Sequence, residues 1–294
     1  MSDNLPPAPP PPPDSPDQPP YGQPPGYGQP PPYGQPGQPY GRHGYDYPQY
    51  PGGGDVYGSP QLEAQVQLDV RGLRPQERWT VLIRLILAIP QLIILYLLWV
   101  AGFFVLIVGW FAALFTGRLP DGIRGFLIGL LRYQVRVHGY LLLLVDEYPP
   151  FAFFDAPDYP IQIEVPPPAR LNPLAVLFRL ILLIPAAIVS SVVTDGAMAV
   201  SIVVWVIMLF TGRQPEPAFG ATSAALRYET RFLAYTGMLT PTYPKGLFGE
   251  PGAPGDQPST TRPLLLSSGA RVLLIVMIVV GVIVSIFSNS TNGN

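Results

Sequence analysis

The chain has no cysteine, one lysine, two histidines and few charges of either sign. Without cysteine it has no disulfide, no iron–sulfur cluster and no thiol nucleophile. The two imidazoles, His43 and His138, fall in different regions and do not offer the spacing of a histidine metal site. A net charge of −2 carries no basic excess, so no nucleic-acid partner is expected. The first 60 residues lack an apolar core segment that would direct secretion, so the N-terminus is expected in the cytoplasm. No cofactor is expected.

What the chain does have is one module written twice, at a constant offset of 95 residues. Gln67-Leu68-Asp69-Val70 returns as Gln162-Ile163-Glu164-Val165, and Arg84-Leu85-Ile86-Leu87 as Arg179-Leu180-Ile181-Leu182. Pro90 returns as Pro185, and Leu114-Phe115-Thr116-Gly117-Arg118 as Leu209-Phe210-Thr211-Gly212-Arg213. Aligned without a gap, 67–149 and 162–244 share 30 identities in 83 positions. That is far above chance and marks a duplicated fold.

The repeat sets the domain plan. Residues 1–60 hold 20 of the 40 prolines and 8 of the 16 tyrosines, with Tyr-Gly-Gln-Pro recurring at 21, 27 and 33. Such a segment buries too little apolar surface to offset ordering entropy, so a disordered arm is expected. Its Pro9–Pro13 run favours polyproline II, which a protein partner can bind. Repeat 1 follows over 61–155 and repeat 2 over 156–248. Residues 249–270 read as a linker, 271–288 as an apolar helix and 289–294 as a polar tail.

Each repeat opens with strict alternation. Leu62, Ala64, Val66, Leu68 and Val70 are separated by polar residues, and Ile161, Ile163 and Val165 repeat the pattern. Period two with one polar face predicts a half-buried strand. The two strands can pair with each other, or each with the apolar run that ends its own repeat. Residues 85–115 then contain no charge. As one helix they would be about 46 Å long, more than the roughly 30 Å hydrocarbon core. Thr194-Asp195-Gly196 interrupts the matching block with a turn signal, so a helical hairpin is predicted in each repeat. Arginine stands at both ends of each block (Arg78 and Arg84 before the first, Arg118 and Arg124 after it), so both ends are expected in the cytoplasm, with an even number of crossings or, because the second helices are short, hairpins that dip in without reaching the far side. Val272–Phe287 is long enough for one crossing and would orient the C-terminus outward. The expected fold is therefore mainly α and integral to the membrane. It has two tandem repeats, each a strand, a transmembrane hairpin and a cytoplasmic interfacial helix, plus one C-terminal transmembrane helix.

The interfacial helix, expected over 122–139, carries the candidate site. Arg132, Arg136 and Tyr140 fall at four-residue spacing on one face, and Arg227, Arg231 and Tyr235 repeat them. The four arginines are candidates for contact with anionic lipid or a partner, against the plainer reading of interfacial anchoring with salt bridges to Asp146, Glu147 or Glu229. Arg84 and Arg179, at the start of the apolar helices, are expected to snorkel to the surface. Asp195 is expected exposed in its turn. No catalytic constellation is legible, and no metal site.

The assembled pieces resemble a bacterial, often actinobacterial, membrane-protein family catalogued as a domain of unknown function, numbered four-three-eight-nine. The resemblance lies in Arg-Leu-Ile-Leu-x-Ile-Pro at 84–90, Trp110 with LFTGRLP at 114–120, and LRYQVRVHGYLLLLVDEYPPF at 131–151. Repeat 2 departs where Pro241-Thr242 replaces Asp146-Glu147 and Lys245 replaces Pro150. The resemblance implies a membrane protein with no assigned activity and transfers no catalytic residue. The expected role is a non-enzymatic scaffold in the cell membrane whose arm recruits partners. The alternative is a small transporter or channel between the repeats.

Overall fold

The computed structural model describes residues 65–252 and 261–292. The proline-rich arm, the first residues of the alternating segment, the middle of the linker and residues 293–294 lie outside the described residues. The elements run β1 (Gln67–Val70), α1 (Arg78–Thr116), α2 (Asp121–Leu141), β2 (Ile161–Glu164), α3 (Pro173–Thr211), α4 (Glu216–Thr236) and α5 (Ser268–Asn292). The bounds of α1 and α2 recur in α3 and α4 at the sequence offset of 95, residue for residue. Gly117 and Gly212 end the long helices in the left-handed conformation, φ 65° and 67°, and their N–H groups bond back to Ala113 and Met208. Glycine carries this conformation without the steric cost of a Cβ.

The long apolar blocks are not hairpins. α1 and α3 are each one helix of 39 residues, about 58 Å at 1.5 Å per residue. Thr194-Asp195-Gly196 lies inside α3, with Asp195 half-buried rather than in an exposed turn. A lone glycine costs a helix only about 1 kcal/mol against alanine, so it does not force a break. Packing explains Gly196. α5 runs antiparallel along α3, and a Cβ at 196 would stand 1.8 Å from the Met277 carbonyl oxygen. Gly281 answers it from α5, where a Cβ would stand 1.9 Å from the Val192 carbonyl oxygen. The turn signal was a helix-crossing signal.

Of the two strand pairings left open, the strands take each other. β1 and β2 form an antiparallel ladder with Leu68 opposite Ile163, Gln67 opposite Glu164 and Asp69 opposite Gln162. Leu68 and Ile163 are repeat counterparts, so each strand pairs with its own copy about a local two-fold axis. The same exchange recurs elsewhere. Trp110 donates through Nε1 to the Val176 carbonyl (3.2 Å), and its counterpart Trp205 donates to the Val81 carbonyl (2.6 Å). Leu171 N–H bonds to Gly117 O at 2.9 Å, and Gln76 N–H to Gly212 O at 3.0 Å. Contacts that swap residue for residue are the signature of an isologous, two-fold interface.

Three layers result. The apolar side of the sheet (Val66, Leu68, Val70, Ile161, Ile163) packs on Val135 of α2 and Leu226 of α4 in the main core. The other side of α2 meets α1 through Leu130, Tyr133 and Val137 against Leu95. Gly102 lets α1 approach, since a Cβ there would lie 2.6 Å from Leu130. Among the described residues α2 and α4 thus form the middle layer, with apolar or small side chains packed toward the layer on each side. α1, α3 and α5 present exposed Leu, Ile, Val and Phe on their far sides, over Trp79–Phe115 in α1, Leu174–Val189 and Ile202–Phe210 in α3, and Val272–Phe287 in α5. These three helices are long and apolar enough to cross a membrane.

The two kinds of glycine predict opposite responses to one substitution. Gly196→Ala pushes a methyl into backbone and should cost about 1–3 kcal/mol. Gly125→Ala meets nothing within 4 Å and should be neutral or gain up to about 1 kcal/mol in helix propensity. Melting midpoints in detergent check both.

Candidate functional site

Two arginine stations per repeat hold the layers together. The first is Arg84 in α1 and Arg179 in α3. Neither snorkels: they are 1% and 3% exposed and turn inward. Arg84 Nη1 donates to the Tyr140 carbonyl (3.0 Å), and Nη2 donates to Gln76 Oε1 (2.8 Å) and Asp146 Oδ1 (3.0 Å). Arg179 Nη1 donates to the Tyr235 carbonyl (2.8 Å) and Nη2 to the Thr240 carbonyl (3.3 Å). Each guanidinium also lies over a tyrosine ring, 4.5 Å from Tyr140 and 4.2 Å from Tyr235. Tyr140 and Tyr235 occupy the last turns of α2 and α4. The cation therefore meets the negative end of a helix dipole. That accounts for Arg179 lacking the carboxylate that Arg84 has, since Pro241 stands where Asp146 stands in repeat 1. Asp146 does further work: it accepts the Glu77 N–H (3.2 Å) and the Thr80 hydroxyl (2.6 Å), which caps α1 from a distance.

The second station is the stripe on α2 and α4. In repeat 2, Arg227 and Arg231 are 1% and 2% exposed, and both pair with Glu250. Arg227 also donates to the Leu68 carbonyl (3.1 Å) and the Thr261 carbonyl. Arg231 donates to the Val66 carbonyl (3.2 Å) and the Lys245 carbonyl (2.8 Å). Burial, with Glu250 opposing it, pushes the Arg227 guanidinium down to about 10. Burial alone would raise the Glu250 carboxyl, but the two arginines hold it below the usual carboxylate range. In repeat 1 Arg136 is equally buried and its Nη2 donates to the Phe154 carbonyl (3.1 Å) and the Ala152 carbonyl (2.5 Å). Burial depresses it as well. Arg132 pairs with Asp155 at 2.5 Å and is the one member of the stripe that keeps outward exposure. Headgroup contact by Arg136, Arg227 or Arg231 would require opening these internal bonds.

A third polar cluster lies on the repeat axis. Gln134 and Glu229 are counterparts, and Gln134 Nε2 donates to Glu229 Oε1 at 2.7 Å. His138 Nδ1 reaches the same carboxylate at 2.8 Å, and Trp99 Nε1 donates to Gln134 Oε1. Burial would lower the His138 imidazolium, but Glu229 outweighs it and holds it above the usual histidine range. The sequence offered Glu229 as an arginine partner, but its partners are His138 and Gln134. Glu250 and Thr261 were missed because they sit in a stretch read as linker, and no local pattern ties such a loop to a helix.

Among the described residues no group of three or more His, Cys, Asp or Glu gathers as a metal cage. The best-formed crevices are about 10 Å³ beside Arg132 and Asp155 and about 20 Å³ beside Trp99 and Leu127, each room for roughly one water. The polar clusters bond inward, which is the arrangement of clamps between layers.

The geometry defines a class: a two-fold duplicated helical module with three helices apolar enough for a membrane. The family described as a domain of unknown function (DUF4389) matches residues 78–152 and again residues 173–247, and the chain belongs to that family in two tandem copies. No curated protein matches it, and no solved structure does.

Two outcomes follow from the clusters. Glu250→Gln leaves two buried guanidinium groups facing a neutral amide and should lower stability by about 3–5 kcal/mol in denaturant unfolding. His138 is raised in the folded state, so its contribution is complete below its unfolded value of about 6.5 and fades as pH rises through the folded value. The melting temperature should fall across that window in the parent protein and less so in His138→Gln.

Proposed function

We propose that the protein is a non-enzymatic scaffold of the cell membrane, with its polar layers on the cytoplasmic side, in which repeat 1 receives an apolar helix from a partner protein. The observation that carries this is an asymmetry between the repeats. In repeat 2, α5 covers α3 and α4: Met277 lies on Gly196, Ala270 on Gly220 and Gly269 on Pro217. The counterparts in repeat 1 are Ala101, Gly125 and Gly122. Ala101 is exposed, and among the described residues nothing stands within 4 Å of a Cβ added at Gly122 or Gly125. Small residues without a neighbour are what a close-packing membrane helix needs. Because Ala101 replaces Gly196, the visiting helix stands slightly farther off than α5 does.

The proline-rich arm would gather a further protein partner. Arg132, the half-exposed member of the stripe, is the one that would meet an anionic headgroup. The transporter alternative finds less support, because Gln134, Glu229 and His138 fill the seam between the repeats.

A photocrosslinking residue at Gly125 tests the scaffold. In native membranes it should trap one defined membrane protein, and the adduct should vanish when Ala101→Phe fills the face. The same probe at Gly220 should report only α5. No adduct at 125, together with protein-dependent ion leak in reconstituted vesicles, would favour transport instead.

A further inference from the structure

We infer that α1, α3 and α5 lie along one leaflet of the bilayer without crossing it, so that the partner of their shared apolar surface is the acyl layer of the cytoplasmic leaflet. The inference rests on the membrane residence proposed above and concerns how the protein sits there.

The repeat axis carries the argument. An antiparallel ladder that pairs Leu68 with its counterpart Ile163 has its two-fold perpendicular to the sheet. That axis must also relate α1 to α3. Trp110 of α1 touches Val176 of α3, and Val81 of α1 touches Trp205 of α3. Val81 and Trp110 are 29 residues apart, about 43 Å of helix. The line from 176 to 205 therefore runs back along the line from 81 to 110. A two-fold axis reverses a direction only when it is perpendicular to it. Both long helices thus lie parallel to the sheet, with the sheet opposite their midpoints. α5 runs antiparallel along α3 through Gly196 and Gly281 and belongs to the same layer.

Only one orientation in a membrane is compatible with this. If α1 and α3 crossed the bilayer, the sheet and its rim would lie at its centre. That would place the exposed pairs Arg132–Asp155 and Arg262–Glu164 in hydrocarbon. It would also put the non-helical segment 148–160, whose Pro149 carbonyl accepts from Gln91 of α1 (2.6 Å), inside the hydrocarbon, where irregular backbone facing lipid is not tolerated. With the axis along the membrane normal, the sheet faces the cytoplasm, α2 and α4 lie beneath it, and the outward faces of α1 and α3 meet acyl chains. An interfacial helix ordinarily keeps a polar face toward water. Here the protein's own middle layer takes that place.

The charge pattern agrees. The sequence called for an even number of crossings because arginine flanks both ends of each block, yet each block is a single helix. A helix that does not cross satisfies both statements. The C-terminal block carries arginine at one end only, and α5 joins the layer through its packing along α3, which within this inference replaces the outward crossing expected of it.

Sidedness of single cysteines tests this in the full chain, which has none of its own. Pro75→Cys and Thr116→Cys bracket α1, Ala169→Cys and Thr211→Cys bracket α3, and Ser290→Cys reports on α5. All five positions are exposed and uncharged. In intact cells an impermeant maleimide should label none of them, and after permeabilisation it should label all five. Labelling of 75 and 116 on opposite sides, of 169 and 211 on opposite sides, or of 290 apart from 211, would overturn the inference. A protein recovered outside the membrane fraction would instead overturn the membrane reading beneath it. Retained melting temperature in each variant keeps the labelling interpretable.

Discussion

The pairing of Leu68 with Ile163 is the contact on which the rest is hung. A strand of four residues has no stability of its own. Each repeat must find a second strand, and the one it finds belongs to its copy. That choice fixes a two-fold axis, and the axis dictates every contact between the repeats. Gln134 must meet Glu229, each tryptophan must reach the opposite helix's first turns, and each C-cap carbonyl must receive an N–H from the other repeat. The last carbonyl of each long helix is satisfied from the other repeat. The Gly117 carbonyl, left over at the end of α1, bonds to Leu171, and the Gly212 carbonyl to Gln76. A single copy would leave these groups without a partner unless a second copy supplied it across the same two-fold.

Much of this was legible in the residues. The offset of 95 is kept residue for residue by the long helices, and both strands form within the alternating segments, β1 over Gln67–Val70 and β2 over Ile161–Glu164. Each is a local signal with a local cause. The hairpin was misread because one turn motif has two physical meanings: Gly196 after Thr194 and Asp195 looks like a loop until Met277 of α5, 81 residues on, is laid against it. The arginine stripe was legible as a stripe but not as a buried one. Burial depends on Glu250 and Thr261, which reach α4 from a loop whose composition says only that it is polar. Nothing local to Arg227 distinguishes a guanidinium bound for a headgroup from one bound for a carboxylate.

The two copies have diverged in how they solve the same problem. Both bury an arginine under the sheet side of the long helix and both must neutralise it. Repeat 1 uses a carboxylate, Asp146, and the same group caps α1. Repeat 2 has Pro241 there and caps α3 instead with Asn172, whose Oδ1 accepts the Leu174 N–H at 2.9 Å. Capping and neutralisation, one residue's duty in repeat 1, are separate in repeat 2. Conversely, the stripe of repeat 2 is closed by one carboxylate serving two arginines, whereas that of repeat 1 uses Asp155 for one and bare carbonyls for the other. Repeat 2 has been built inward and roofed by α5; repeat 1 keeps a helix face and a charged rim toward its surroundings.

What lets Arg179 survive without a carboxylate shows why the arginines are at these positions at all. A buried cation needs compensation, and a lone ion pair often repays little of its desolvation. The ends of α2 and α4 supply an alternative. Leu143 and Met238 take the left-handed conformation, φ 65° and 56°, just past those helices, a costly one for residues with a Cβ. The turn gathers the last carbonyls toward the long helix, where Arg84 and Arg179 receive the Tyr140 and Tyr235 oxygens. Helix dipole, carbonyls and tyrosine face together form a cation seat that requires no acid. The seat ties the apolar layer to the middle layer at a point where apolar packing alone would let α1 slide along α2. A directional bond from each long helix to the end of its neighbour fixes that register in both repeats, and the acid at position 146 is an addition to it rather than its basis.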